Sequence, residues 1–161
     1  MNSIVFYIVL SSFLICSECF HTDYVNNVYI VNNADFDIDC QINFKNQFNT
    51  FTYPDTTLSE IRIPTWNPSP VKKGEKQAFY EVHTSSWSKF YKRVVPNDTI
   101  SFIVYDFEVL ENLEWSEIRD EYKILKRYDL SIQDMQMLDY EITYPPTEAM
   151  KNIKMYPKYE E

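Results

Sequence analysis

The sequence predicts a mainly β chain, β-rich α+β in class: a single-domain antiparallel β-sandwich of immunoglobulin-like or transthyretin-like type, with two or three short helices. Three observations carry that expectation. Thr99–Phe107, TISFIVYDF, has a β-branched or aromatic residue at almost every position, so a strand there has apolar groups on both faces and sits centrally in a sheet. Phe36–Phe44, FDIDCQINF, alternates without a break, with Phe36, Ile38, Cys40, Ile42 and Phe44 on one face and Asp37, Asp39, Gln41 and Asn43 on the other, the pattern of a half-buried strand. The chain has 1 Gly and 8 Pro, and its Pro, Asn, Asp and Ser cluster between the apolar runs, which marks turns there. The competing architecture is a single antiparallel sheet with helices packed on one face.

Taken in order, Val28–Val31 reads as a strand entering the turn Asn32-Asn33-Ala34-Asp35, and its pairing with Phe36–Phe44 makes a hairpin. After a turn at Tyr53-Pro54-Asp55, Leu58–Ile63 has the length of a short strand, and Pro64, Pro68 and Pro70 confine Thr65–Val71 to a loop or sheet edge. Lys72-Lys73-Gly74-Glu75 is a further turn, feeding a strand through Ala78–Val82. The period then changes. Trp87, Phe90, Tyr91 and Val94 fall at helical spacing behind Ser85-Ser86, with Lys89, Lys92 and Arg93 on the opposite face, so a helix over 87–94 covers one end of the core.

Past the central strand a helix is expected over 109–122, with Ile118, Tyr122 and Leu125 sharing a face and Trp115 packing inward. In Leu130-Ser131-Ile132-Gln133-Asp134-Met135, Ser131 and Asp134 can cap each other's amides while Leu130 staples against Met135, so a short helix covers 131–138. Tyr140–Tyr144 reads as a strand that Pro145-Pro146 ends.

Residues 1–19 read as a signal peptide or lipoprotein signal, 20–146 as the sandwich domain and 147–161 as an irregular C-terminal tail. Ile4–Ile15, IVFYIVLSSFLI, is apolar over about 12 residues, short of the roughly 20 that cross a bilayer and right for a signal core. Cleavage before Cys16 would leave a lipid-modified cysteine, although Leu14-Ile15 lacks the small residue expected there. Cleavage after Cys19 would release a soluble protein, and an uncleaved anchor is the third route. Cys40 reads as a small buried hydrophobe; a Cys19–Cys40 disulfide is the alternative.

The net charge of −9 argues against a nucleic-acid partner, whose phosphates need a concentrated basic face. A lone glycine excludes Gly-rich phosphate loops, and no cofactor is expected. His21 and His83 lie far apart without a Cys/His cluster, so the sequence carries neither metal-ligand spacing nor the pattern of a Ser or Cys hydrolase. Charge is unevenly placed: Lys72–Arg93 is basic and Asp98–Glu121 acidic, which describes either solvated faces or complementary patches for a partner. Asp106, Glu108, Glu111, Glu114 and Glu117 could supply the carboxylate pair of a hydrolase acting on glycosides, but the same spacing describes a solvated helix face. Asp35, Asp37, Asp39 and Asp55 offer calcium-ligating oxygens without EF-hand spacing. Trp66, in its Pro-bounded loop, is the aromatic best placed to stack on a sugar, although Trp more commonly anchors a core or loop.

Asp98-Thr99-Ile100 leading into Phe102–Asp106, Trp115 with Ile118, the run Tyr122–Ser131 and Ile142-Thr143-Tyr144-Pro145-Pro146 together carry a resemblance. The chain resembles small exported proteins, often lipoproteins, of gut bacteria of the Bacteroidetes type. The resemblance implies a bacterial source and a cell-envelope location, and no known activity. The expectation is a non-enzymatic exported cell-envelope protein, lipid-anchored through Cys16 or secreted, that touches the membrane only through that anchor. Its partner would be another envelope protein met through Lys89, Lys92 and Arg93. The alternatives are a carbohydrate-binding module using exposed aromatics such as Trp66, and a hydrolase using an acidic pair.

Overall fold

The computed structural model describes residues 27–43, 53–62, 70–82 and 86–159. Its strands are β1 (Asn27–Asn32), β2 (Ile38–Asn43), β3 (Lys76–Glu81), β4 (Thr99–Asp106), β5 (Lys126–Ser131), β6 (Glu141–Tyr144) and β7 (Lys154–Tyr156). They form a three-stranded sheet ordered β3-β1-β6 and a four-stranded sheet ordered β2-β4-β5-β7. The helices are α1 (Trp87–Val94), α2 (Phe107–Asn112), α3 (Trp115–Asp120) and α4 (Ile132–Met137), with 3-10 turns at Pro96–Asp98 and Glu148–Met150. The chain is therefore β-rich, with two sheets and a few short helices.

The apolar run at 99–106 is central, as its sequence demands. β4 pairs antiparallel with β2 on one side (Phe102 opposite Ile42) and with β5 on the other (Phe102 opposite Tyr128). Its even-numbered residues Ile100, Phe102 and Val104 are each 0% exposed. They join Val28 and Ile30 of β1, Phe79 of β3, Ile142 of β6 and the Trp87, Phe90 and Tyr91 side chains of α1 in the main core. The odd-numbered Ile103 and Tyr105 point the other way, into a second cluster with Leu58, Leu110 and Ile118 under α2 and α3. The pleat of one strand thus feeds two cores.

Two helices form where expected. α1 buries Trp87, Phe90 and Tyr91, and the Tyr91 hydroxyl donates to the Leu130 carbonyl at 3.1 Å. At α4 the Ser131 Oγ accepts the Asp134 amide at 3.1 Å while Asp134 accepts the Ser131 amide at 2.8 Å, the reciprocal cap that the sequence spelled out. Leu130 and Met135, both 0% exposed, lie in the main core beside it.

Elsewhere the structure departs from the sequence reading for identifiable reasons. β1 and β2 are not a hairpin; they belong to different sheets. Asn32, 0% exposed, donates to the Phe36 and Val71 carbonyls at 2.8 and 2.9 Å and accepts the Ala34 amide at 2.9 Å, which fixes a wide turn between the sheets. β2 is buried along its whole length rather than on one face, with α2 and Arg62 of the 53–62 segment packed against it. The architecture is not antiparallel throughout, since β6 runs parallel to β1 with Ile142 opposite Ile30.

The helix expected over 109–122 is broken into α2 and α3 at Leu113-Glu114, both extended. Trp115 lies five residues beyond Leu110, about 140° around a continuous helix, so only a break turns both toward the sheet. No strand forms over 58–62; the Trp115 indole of α3 takes up the Ser59 carbonyl, and Ser59 Oγ the Ile61 amide. β5, over which the sequence reading assigns no element before Ser131, is a strand beside β4. The C-terminal tail is not irregular: it holds the 3-10 turn and β7, which pairs Tyr156 with Arg127.

Candidate functional site

The odd-numbered face of the four-stranded sheet is polar but buried. Asp39, Gln41, Asn43, Ser101 and Asp129 are all under 9% exposed. Most of their polar atoms are satisfied by neighbours on the same face, as burial requires. Ser101 Oγ donates to Asp129 at 2.6 Å, the Tyr105 hydroxyl donates to Gln41 Oε1 at 3.1 Å, and Arg127 Nε donates to Asp129 at 3.2 Å. Asp39 accepts the Cys40 amide at 2.7 Å and faces Arg62 at 3.8 Å. Desolvation pushes the Asp39 carboxyl up to about 6, against the pull of the Cys40 amide and of Arg62, and the charge of Glu111 adds to the rise.

Residues 53–62 lie across this face as a strap. Tyr122 donates its hydroxyl to the Thr56 carbonyl at 3.0 Å, Trp115 its indole N–H to the Ser59 carbonyl at 2.9 Å, and Arg62 reaches the Leu110 carbonyl at 3.4 Å. Where strap, α3 and β7 meet, Thr56, Thr57, Leu58, Arg119, Asp120, Tyr122, Arg127 and Tyr156 line a cleft of about 620 Å³, a size that suits a small ligand.

Local structure explains how the cleft's aromatics are aimed. α3 ends in a Schellman turn: the Tyr122 amide bonds the Arg119 carbonyl at 3.2 Å and the Lys123 amide the Ile118 carbonyl at 2.9 Å. The left-handed position of that turn, usually glycine, is Tyr122 at φ 52°. A bulky side chain there is strained, and such strain concentrates at functional places. The turn folds the Tyr122 ring back against Tyr156, edge to face at 5.8 Å. Arg127 Nη1 donates to the Tyr122 hydroxyl, and its guanidinium lies 6.0 Å from the Tyr122 ring centre and 5.6 Å from that of Tyr156.

The charge of the cleft is balanced. Arg127, its side chain 12% exposed, is matched by Asp129 at 0%, and Arg119 Nε bonds Asp120 at 2.7 Å. The Nη2 nitrogen of Arg127 and both Nη nitrogens of Arg119 have no partner among the described residues.

The residues singled out in the sequence lie elsewhere. Lys89, Lys92 and Arg93 are exposed on the outer face of α1 and make no ion pair among the described residues. Cys16, Cys19, Trp66 and His83 lie outside the described residues, whereas Cys40 is buried in the main core. Of the acidic residues, Asp106 caps α2 by accepting the Glu108 amide at 2.8 Å, and Glu117 is held by Lys123. Among the described residues no group of three or more His, Cys, Asp or Glu could hold a metal, so the four candidate calcium aspartates are not assembled. Tyr122 and Tyr156 escape the sequence reading because a helix over 109–122 and an irregular tail over 147–161 are expected where a Schellman turn and β7 lie, and Arg127 because no element is assigned over 126–130. The available signal was alternation at Arg127 and Asp129 beside Tyr128 and Leu130.

Comparison with protein families, with curated proteins and with solved structures finds no match for this chain. Among the described residues no helix is long and apolar enough to cross a membrane.

Proposed function

We propose that this is a non-enzymatic, exported cell-envelope protein that binds an acidic surface of a protein partner through α1. One observation carries the reading: Lys89, Lys92 and Arg93 share an exposed helix face and make no ion pair among the described residues, while Trp87, Phe90 and Tyr91 anchor the same helix in the main core. A cationic face already held rigid loses little freedom on docking, which favours affinity. The acidic helices α2 and α3 pack over the opposite face of the four-stranded sheet, so the cations of α1 are left for another molecule.

Export rests on the short apolar stretch at 4–15 and on the resemblance to exported proteins; Cys16 is the lipid-anchor position. A main core drawing on both sheets supports a single sandwich domain of immunoglobulin-like or transthyretin-like type, which runs past 146 to include β7.

The test is a pull-down from envelope extract with the full chain, at low and high salt, beside the charge-reversed variant Lys89→Glu/Lys92→Glu/Arg93→Glu. A partner lost both in high salt and in the variant supports the proposal, because exposed ion pairs are screened. A partner retained by the variant contradicts it.

A further inference from the structure

We infer that the cleft between the strap, α3 and β7 is a binding site for a neutral saccharide, with a pyranose ring stacked on Tyr156 and its hydroxyls bonded by Arg119, Asp120 and Arg127.

The stacking surface comes first. Tyr156 is 50% exposed although it lies on a paired strand directly opposite Arg127. Its ring is braced by the edge contact with Tyr122 and by the Arg127 guanidinium, so it is held in place without being covered. A fixed, half-open aromatic ring suits the C–H face of a sugar, which brings apolar area without charge.

The hydrogen-bonding groups fit the same class. Among the described residues Arg127 Nη2 and both Nη nitrogens of Arg119 are without partners, and both arginines line the cleft together with the carboxylate of Asp120, which is bonded to Arg119 Nε and 63% exposed at its side chain. Adjacent sugar hydroxyls each donate and accept, and so match a guanidinium and a carboxylate side by side. Charge decides between ligand classes. Both arginines already have a carboxylate partner, so the cleft holds no unmatched cation. A phosphate or carboxylate ligand would meet Asp120 inside a chain of net charge −9, whereas an uncharged polyol meets no such opposition.

This site is separate from the face proposed for protein docking. α1 belongs to the main core and the cleft to the other side of the four-stranded sheet, so each can fail without the other. The test screens the full chain against arrayed neutral oligosaccharides of glucose, galactose, mannose and N-acetylglucosamine, with uronic-acid oligosaccharides alongside, then titrates hits in solution. The inference expects binding to a neutral oligosaccharide that Tyr156→Ala and Asp120→Asn each weaken about tenfold or more, and that Tyr156→Phe retains. It also expects less than about a twofold change when salt rises from about 0.05 to 0.5 M, and no change in Lys89→Glu/Lys92→Glu/Arg93→Glu. Amide shifts in a titration should centre on Tyr122, Arg127 and Tyr156. No retained neutral saccharide, a preference for uronates, full affinity in a folded Tyr156→Ala variant, or shifts centred elsewhere would each overturn it.

Discussion

The two faces of the four-stranded sheet are both buried, yet they are built from different chemistry. Toward the main core, β2, β4 and β5 present Ile38, Cys40, Ile42, Ile100, Phe102, Val104, Tyr128 and Leu130. Toward the strap, the same strands present Asp39, Gln41, Asn43, Ser101, Ile103, Tyr105, Arg127 and Asp129. The apolar face gains from removing carbon from water. The polar face must match each buried charge and hydroxyl with a partner, so it contributes little net stability while fixing geometry. Of the two, the face that gains less by burial positions the cleft.

The largest expected effect breaks the apolar face. Phe102→Ala, at a site 0% exposed and flanked by Phe79 at 6.4 Å, should lose about 3–5 kcal/mol in a reversible denaturant titration. A loss under about 1 kcal/mol would mean that β4 is peripheral to the fold.

The next effect belongs to the polar face and has a pH signature. The Asp39 carboxyl is raised from an ordinary 3.8 to about 6 by burial. Between those values the native chain holds a proton that the unfolded chain has released, so this group's contribution to stability falls as pH rises. The contribution is fully present below about 4 and lost above about 6, on the order of 3 kcal/mol across the window. Asp39→Asn keeps an acceptor for the Cys40 amide but removes the titration. Its stability relative to the parent should therefore rise from pH about 4 to about 7 by that order, measured by urea titration at each pH. A difference independent of pH would show that Asp39 is solvated as in an unfolded chain.

This contrast also explains what could be read in advance. β4, α1 and the Ser131–Asp134 cap were legible because each is encoded locally, by a run of β-branched residues, by helical spacing and by a reciprocal capping pair. The polar face was not. Asp39, Gln41 and Asn43 alternate with apolar residues as solvent-facing side chains do, and the groups that meet Asp39 and Gln41 in the interior, Arg62 and Tyr105, are remote in sequence. The cleft was hidden for the same reason. Tyr122 takes a left-handed position where sequence rules look for glycine, and Arg127 and Tyr156 meet across strands 29 positions apart. The basic face of α1 was legible because exposure follows directly from helical spacing, with Trp87, Phe90 and Tyr91 turned inward.

Native-state hydrogen exchange tests most directly whether the two faces hold the fold unequally. The account predicts that amides of the strap and of the α3 turn, including Ile61 and Lys123, exchange through partial openings that leave the main core closed, at free energies about 2 kcal/mol or more below those of β4 and β5. Amides of Phe102 and Tyr128 should exchange only on global unfolding. Equal protection across both sets would contradict the account, because the polar face would then be as integral to the fold as the apolar one.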